Sequence, residues 1–194
     1  MKEASTCQGI DLNAQFLKAL HVMEETDQNV FITGRAGTGK STLLDYFRHQ
    51  TRKKVAVLAP TGVAAVNVKG QTIHSFFKFK PHITPQTIKR LKESGDKKKN
   101  IYQKLEMIII DEISMVRADL LDCIDKFLRL NGKNAKKPFG GIQMVFIGDL
   151  YQLPPVVPPQ EKEIFSSHYE TPYFFSTHIF KDFEMDLLEL EKIY

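Results

Sequence analysis

Gly34-Arg35-Ala36-Gly37-Thr38-Gly39-Lys40-Ser41 decides how the rest of this chain is read. The octet fits G-x-x-x-x-G-K-[ST], the loop that cradles phosphates in nucleotide hydrolases. The apolar run Val30-Phe31-Ile32 precedes it, and residues 41–49 follow with Leu43, Leu44 and Phe47 on one helical side. Strand, glycine loop, helix is the context the motif needs. Gly34, Gly37 and Gly39 let the backbone curl so that its N–H groups point at phosphate oxygens. The N-terminus of the following helix adds partial positive charge at the same spot. In this reading residues Gly34 to Thr42 hold ATP, with Arg35, Ala36 and Thr38 filling the loop and Thr42 opening the helix. Lys40 reaches the terminal phosphates and the Ser41 hydroxyl ligates Mg²⁺. A glycine-rich turn ending by accident in Lys-Ser is the plain alternative, and the flanking strand and helix count against it.

Bulk properties set wide bounds. A chain of 194 residues suits one large α/β domain and is too short for two of comparable size. Its 42% hydrophobic and 26% charged content is ordinary for a globular protein. No apolar stretch has the length of a membrane span, and residues 1–11 lack the apolar core of a signal peptide. Cys7 and Cys123, far apart, make neither a disulfide framework nor a metal cluster. The expectation is an intracellular, reduced protein without membrane contact: cytoplasmic, or nuclear or mitochondrial in a eukaryote. A net charge of +4 permits a polyanionic partner without demanding one.

Outward from the octet, residues 12–23 place Leu12, Phe16, Leu17, Leu20 and Met23 at helical spacing. Val55-Ala56-Val57-Leu58-Ala59 is a short, wholly apolar run suited to a strand buried on both faces. Residues 63–68 look helical, and 71–77 form a second compact apolar element. Residues 89–100 are lysine-rich and read as a mobile surface insertion. Residues 107–110 and 144–147 are further buried strands, ending in Asp111-Glu112 and Gly148-Asp149. Between them a helix carries Val116, Leu120, Ile124, Phe127 and Leu128 on one face and stops at Asn131-Gly132. Residues 154–159 are proline-rich and irregular; 173–175 and 183–187 suggest late strands. Strands alternating with helices predict an α/β fold: a mostly parallel sheet covered by helices on both faces. Ligands of such sheets sit beyond the carboxyl ends of the strands, where the polar residues of this chain gather.

Hydrolysis needs a metal partner and a group that activates water. Asp111, at a strand end, can hold Mg²⁺ through its water shell, and Glu112 can take a proton from the attacking water. Two surface acids at a strand end are the plain alternative. Ser114 is expected to cap the helix that follows. The amide of Gln152, in Gly148-Asp149-Leu150-Tyr151-Gln152-Leu153-Pro154-Pro155, can donate to a γ-phosphate oxygen and accept from water, which makes it a candidate catalytic sensor or a polar turn residue.

Together these segments resemble the Pif-type DNA helicases of superfamily 1, relatives of the RecD and Dda motors. The matching stretches are residues 31–42, then Ala59-Pro60-Thr61-Gly62-Val63-Ala64-Ala65-Val66-Asn67 running to Thr72-Ile73-His74-Ser75-Phe76-Phe77. Ile110-Asp111-Glu112-Ile113-Ser114-Met115 follows, and Phe139-Gly140-Gly141-Ile142-Gln143 leads into Gly148-Asp149 and Gln152-Leu153-Pro154-Pro155. The first and third are shared by many ATPases; the second and last are far more specific. The likeness covers about residues 10–194.

The resemblance implies a three-layer, RecA-like P-loop NTPase domain over residues 1–194. It further implies a 5′-to-3′ motor coupling Mg·ATP hydrolysis to movement on single-stranded DNA, in the family's settings of repair, recombination and telomere maintenance. Thr61, with Gly62 beside it, and His74 would touch DNA phosphates, and Phe76 or Phe77 would lie against a base; packing roles are the alternative for His74 and both phenylalanines. A glutamine near the N-terminus would read the adenine, with Gln15 and Gln8 as candidates. After Tyr194 the family continues into an Arg-Gln motif and a second motor domain, so the arginine that contacts the γ-phosphate is expected from outside this stretch. Two other classes compete: a small-molecule or nucleotide kinase on the same loop, and a non-catalytic DNA- or protein-binding module that keeps the loop as a fold element.

Overall fold

The computed structural model describes residues 12–91 and 101–194. Expectations that fall on Cys7, Gln8 and residues 92–100 of the lysine-rich insertion lie outside the described residues. The elements are α1 (Ala14–Glu25), β1 (Val30–Thr33), α2 (Lys40–Gln50), β2 (Val55–Ala59), α3 (Gly62–Asn67), β3 (Gln71–Thr72) and α4 (Ile73–Phe77). Then come β4 (Met107–Ile110), α5 (Ala118–Asn131), β5 (Gln143–Ile147), α6 (Lys162–Ser166) and β6 (Asp186–Glu189). The strands form one parallel sheet in the order β3-β2-β4-β5-β1-β6.

The uniformly apolar strands are explained by which layer each residue enters. Successive side chains of a strand point to opposite faces. Met107 and Ile109 of β4 join Val30, Ile32, Val145 and Ile147 in a core capped by α1, α2 and α3. Ile108 and Ile110 join Phe31, Met144 and Phe146 in a second core under α4 and α5. Both faces are dry, so neither can alternate with polar residues. In α2, Leu43, Leu44 and Phe47 are buried as their spacing requires, and α5 buries Leu121, Ile124, Phe127 and Leu128 before stopping at Gly132.

Three expectations are corrected. The buried face of α1 is Phe16, Ala19, Val22 and Met23, while Leu12 and Leu17 are exposed. Leu12 precedes the helix, whose N-cap Asn13 accepts from the Phe16 N–H at 2.9 Å, and Leu17 lies on its flank. Residues 173–175 form no sheet strand: Phe174–Ser176 is a single 3-10 turn whose Phe174 ring turns inward against Phe31 and Phe146, at 5.3 and 5.7 Å. The last strand starts only at Asp186. Ser114 caps nothing. It sits in the 3-10 turn Ile113–Met115, fully buried, its hydroxyl without a hydrogen-bond partner, and Arg117 occupies the N-cap of α5. Among the described residues, no helix is long and apolar enough to cross a membrane.

Candidate nucleotide site and nucleic-acid lip

β1 runs straight into the glycine loop, and the loop into α2. Gly37 and Gly39 take φ of +82° and +86°, left-handed values that a side chain would strain. The turn is tightened by Thr38, whose N–H and hydroxyl both donate to the Arg35 carbonyl, at 3.3 and 2.8 Å. The first helical bond of α2 runs from the Leu43 N–H to the Gly39 carbonyl at 2.8 Å. The N–H groups of Lys40, Ser41 and Thr42 therefore precede the hydrogen-bonded ladder and form a donor set facing the loop, suited to anionic oxygens. Lys40 folds its ammonium over this loop, donating to the carbonyls of Gly34 at 2.5 Å and Arg35 at 3.0 Å. Ser41 and Thr42 are exposed in the first turn.

β4 delivers the acids. β5 separates it from β1, so its end lies about 10 Å from the glycine loop across the sheet. The Asp111 N–H donates to the Leu58 carbonyl at 2.9 Å, fixing the residue at the sheet's edge. Burial pushes the Asp111 carboxyl up to about 6; neighbouring Glu112 adds to the rise, while the Glu112 N–H and the Lys40 ammonium pull it down. Lys40 and Asp111 thus share one electrostatic environment. Glu112 adopts φ of +52°, a left-handed conformation costly for a residue with a side chain. That turn directs the chain out of the strand and into the 3-10 turn Ile113–Met115.

Between these strands, β5 ends at Gly148-Asp149. Asp149, only 4% exposed, accepts from the Tyr151 N–H at 3.0 Å and the Gln152 side-chain amide at 3.2 Å. Gln152 is exposed and tied to its own turn, so its amide is held near the strand end. Asp149 was visible in the sequence only as one more polar residue at a strand end; its role in ordering the Gln152 turn appears from the contacts. Gln143, in the motif that leads into β5, is structural. Its amide donates to the carbonyls of Val22 and Gln28 and accepts from Lys53, pinning the end of α1 to the sheet.

The segment after β6 lies against the outer side of the loop. Leu190 N–H donates to the Thr33 carbonyl and Tyr194 N–H to the Gly37 carbonyl, at 2.8 and 3.1 Å. Gln15 accepts from the Glu191 N–H at 3.1 Å, and Asn13 donates to the Tyr194 hydroxyl at 3.3 Å. Gln15 is therefore beside the nucleotide loop. No sequence signal drew attention to Asn13 or Tyr194.

The residues of the second specific stretch separate into two groups. Thr61 is exposed at the N-cap of α3, where its hydroxyl accepts from the Ala64 N–H at 3.2 Å. Gly62 is exposed beside it. Val63 and Val66 of the same helix are 75% and 76% exposed, unusual for residues of this kind. His74 is half-buried, and burial lowers its pKa, which keeps its ring neutral at neutral pH. Phe76 is half-buried, edge-on to Phe77 and Tyr102. Phe77 is only 2% exposed, stacked on Phe79 and Tyr102 and edge-on to Phe127. Buried among these rings with 2% of its surface exposed, Phe77 cannot receive a base, and the expectation that it does is corrected.

Comparison with known proteins agrees with this geometry. The family model described as PIF1-like helicase matches residues 13–187. The chain is 39% identical over 160 residues to the ATP-dependent DNA helicase PIF1 of Emericella nidulans, covering 76% of this chain and 21% of that protein. It is 34% identical over 179 residues to the ATP-dependent DNA helicase RRM3 of Saccharomyces cerevisiae, covering 88% of this chain and 24% of that one. The crystal structure of the Bacteroides Pif1 helicase in complex with ADP-AlF3 and ssDNA superposes with a TM-score of 0.86 at 42% identity, over 95% of this chain and 43% of that chain. The chain spans about a quarter of the length of these two curated relatives. A phosphate loop continuous with β1, acids at the end of β4 and a sequence match over most of the length lead to one assignment: this chain belongs to the PIF1-like helicase family.

Proposed function

We propose that this chain is the ATP-binding motor domain of a 5′-to-3′ DNA helicase, coupling Mg·ATP hydrolysis to translocation on single-stranded DNA. The observation that carries the reading is the shared environment of the Lys40 ammonium and the Asp111 carboxyl at the carboxyl end of the sheet. Residues 34–42 supply the N–H donors for the phosphates, and Lys40 swings from the loop carbonyls to the terminal phosphates. The donor set fits Mg²⁺: an exposed Ser41 hydroxyl, and an Asp111 carboxyl whose raised pKa a nearby cation would bring down. Held by Ser41 and Asp111, Mg²⁺ would supply positive charge to offset that of the bound phosphates. Glu112 takes the proton of the attacking water. Gln152, ordered by Asp149, senses the γ-phosphate, and Gln15 reads the adenine.

Thr61, Gly62, His74 and Phe76 form the lip that meets DNA. Neutral His74 donates one hydrogen bond to a phosphate oxygen, and Phe76 offers the one partly free ring. A second motor domain of the same enzyme supplies the γ-phosphate arginine, worth 10³–10⁵ in rate in related phosphoryl transfers. Residues 1–194 alone therefore bind nucleotide, turn it over slowly and do not unwind duplex. The parent enzyme works inside the cell, in the repair, recombination and telomere settings of the family.

The test is to measure thermal unfolding with and without Mg·ATP, alongside single-strand binding across a salt series. Stabilisation by Mg·ATP that Lys40→Ala abolishes, with salt-sensitive DNA binding retained, supports two separate sites. No stabilisation at saturating nucleotide would leave a non-catalytic module as the better reading.

A further inference from the structure

We propose that the outer edge of β2 is a docking groove for an extended acidic peptide, which adds to the sheet as a short strand. The surface lies away from the nucleotide loop; it shares Phe76 with the DNA lip proposed above and otherwise rests on no part of the helicase reading.

The Lys54 carbonyl accepts from the Glu106 N–H at 3.0 Å and the Leu58 carbonyl from the Asp111 N–H at 2.9 Å, both on the β4 side. Alternate residues of a parallel strand address opposite neighbours, so Val55 and Val57 turn their N–H and C=O groups to the outer side, where the pairing with β3 takes up the Val57 carbonyl and leaves the Val55 N–H and C=O and the Val57 N–H. There β3 pairs only with Leu58 and Ala59. Gly70 brings the chain alongside Val57 so closely that a Cβ would stand 2.4 Å from the Val57 carbonyl oxygen. Below that point, no strand among the described residues lies beside β2. An open strand edge is a template for another backbone.

The edge opens into a cleft of about 520 Å³ with Phe76 and Leu105 as apolar walls. Arg48, Lys53 and Lys69 line it, with no Asp or Glu among the lining residues. Arg48 donates to the carbonyls of Val68 and Lys69, and Lys53 to the Thr26 carbonyl and the Gln143 side chain. Those partners are neutral; one carboxylate, Glu24, held by the Thr51 hydroxyl at 2.6 Å, stands at the rim and leaves the cleft a surplus of positive charge. Of these three cations, Lys69 is the one with an acid within 4 Å among the described residues, Asp45 at 3.4 Å, and that pair is solvent-exposed and weak. Charge complementarity therefore selects an acidic occupant. Residues 92–100 of this chain carry Lys92, Lys97, Lys98 and Lys99 against Glu93 and Asp96, the wrong net sign to fill it. A partner protein with an acidic, β-prone segment fits.

The experiment titrates the full chain into a fluorescein-labelled peptide of alternating Glu and Val, read by anisotropy and by hydrogen exchange at the Val55 and Val57 amides. The expected result is saturable binding that slows exchange at those two amides and weakens about tenfold on Lys69→Glu. N-methylation of alternate peptide amides, tested in both registers, should weaken binding by a similar factor in one of them, because strand addition needs those donors. Equal binding of both methylated peptides, or of a Lys-Val peptide, overturns the proposal. So does an oligothymidylate that displaces the peptide while protecting the same amides, which makes the groove a nucleic-acid surface. Slowed exchange at those amides in the peptide-free protein as its concentration rises, with dimers in sedimentation, overturns it in favour of a second copy of this chain.

Discussion

The nucleotide end and the α3–α4 lip are both built after strand ends, yet they teach opposite lessons about reading function from residue type. At the nucleotide end each candidate is a group whose chemistry has little use in a core: a loop ammonium, a first-turn hydroxyl and two adjacent carboxylates. At the lip the candidates include aromatic rings, which serve a base or a hydrophobic core equally well. The structure separates Phe77, inside, from Phe76, at the boundary, although they are neighbours in sequence. A helix as short as α4 turns adjacent side chains by about 100°, so one residue faces the core while the next faces the groove.

Four measurements would break or sharpen that contrast. Phe77→Ala should cost about 3–5 kcal/mol of folding stability by denaturant unfolding, since it empties a packed aromatic cluster. Loss of DNA affinity with no loss of stability would put Phe77 back at the lip. Lys40→Ala should leave the apo fold intact and erase the gain from Mg·ATP, about 2.7 kcal/mol where ligand is a hundredfold above its Kd; a retained thermal shift would detach Lys40 from the phosphates.

Asp111→Asn should stabilise the nucleotide-free protein by on the order of 2 kcal/mol at neutral pH while removing the Mg²⁺ dependence of ATP binding. The sign follows from a carboxyl raised by burial from its ordinary value of 3.8 to about 6. Folding favours its protonated form, so its contribution is full below the unfolded value and is lost as pH rises through about 6. The wild-type protein should show that slope between these two values and the Asn variant should not, in unfolding curves taken across the window. Thr61→Ala should cost about 1 kcal/mol through loss of the α3 cap alone. Thr61→Ser keeps the cap, so weaker DNA binding by Ala but not Ser would not distinguish hydroxyl-to-DNA contact from helix fraying. Weaker binding with unchanged α3 amide exchange would.

Much of the scaffold was legible because dry strands have one signature. Residues 55–59, 107–110 and 144–147 are apolar throughout, and each lies in the sheet between two cores. The glycine loop was legible for a related reason: its spacing encodes backbone angles, and Gly37 and Gly39 adopt them. Legibility failed where a role depends on which side of a short turn a residue falls. Ser114 has the chemistry of a cap but sits inside a 3-10 turn, four residues before the helix begins. Residues 173–175 have strand-like composition, yet Phe174 is drawn inward by Phe31 and Phe146. Asp149 and Gln143 needed contacts to show which holds the site and which only holds the sheet.

Glu112 occupies a backbone conformation that glycine or asparagine would accept with less strain. With Glu112 in its proposed role of activating water, replacing it by either should make the protein harder to melt and slower to hydrolyse ATP, so rigidity and turnover would trade against each other at one peptide unit. A screen of variants for heat resistance alone would drift toward that substitution and select sturdy, idle molecules.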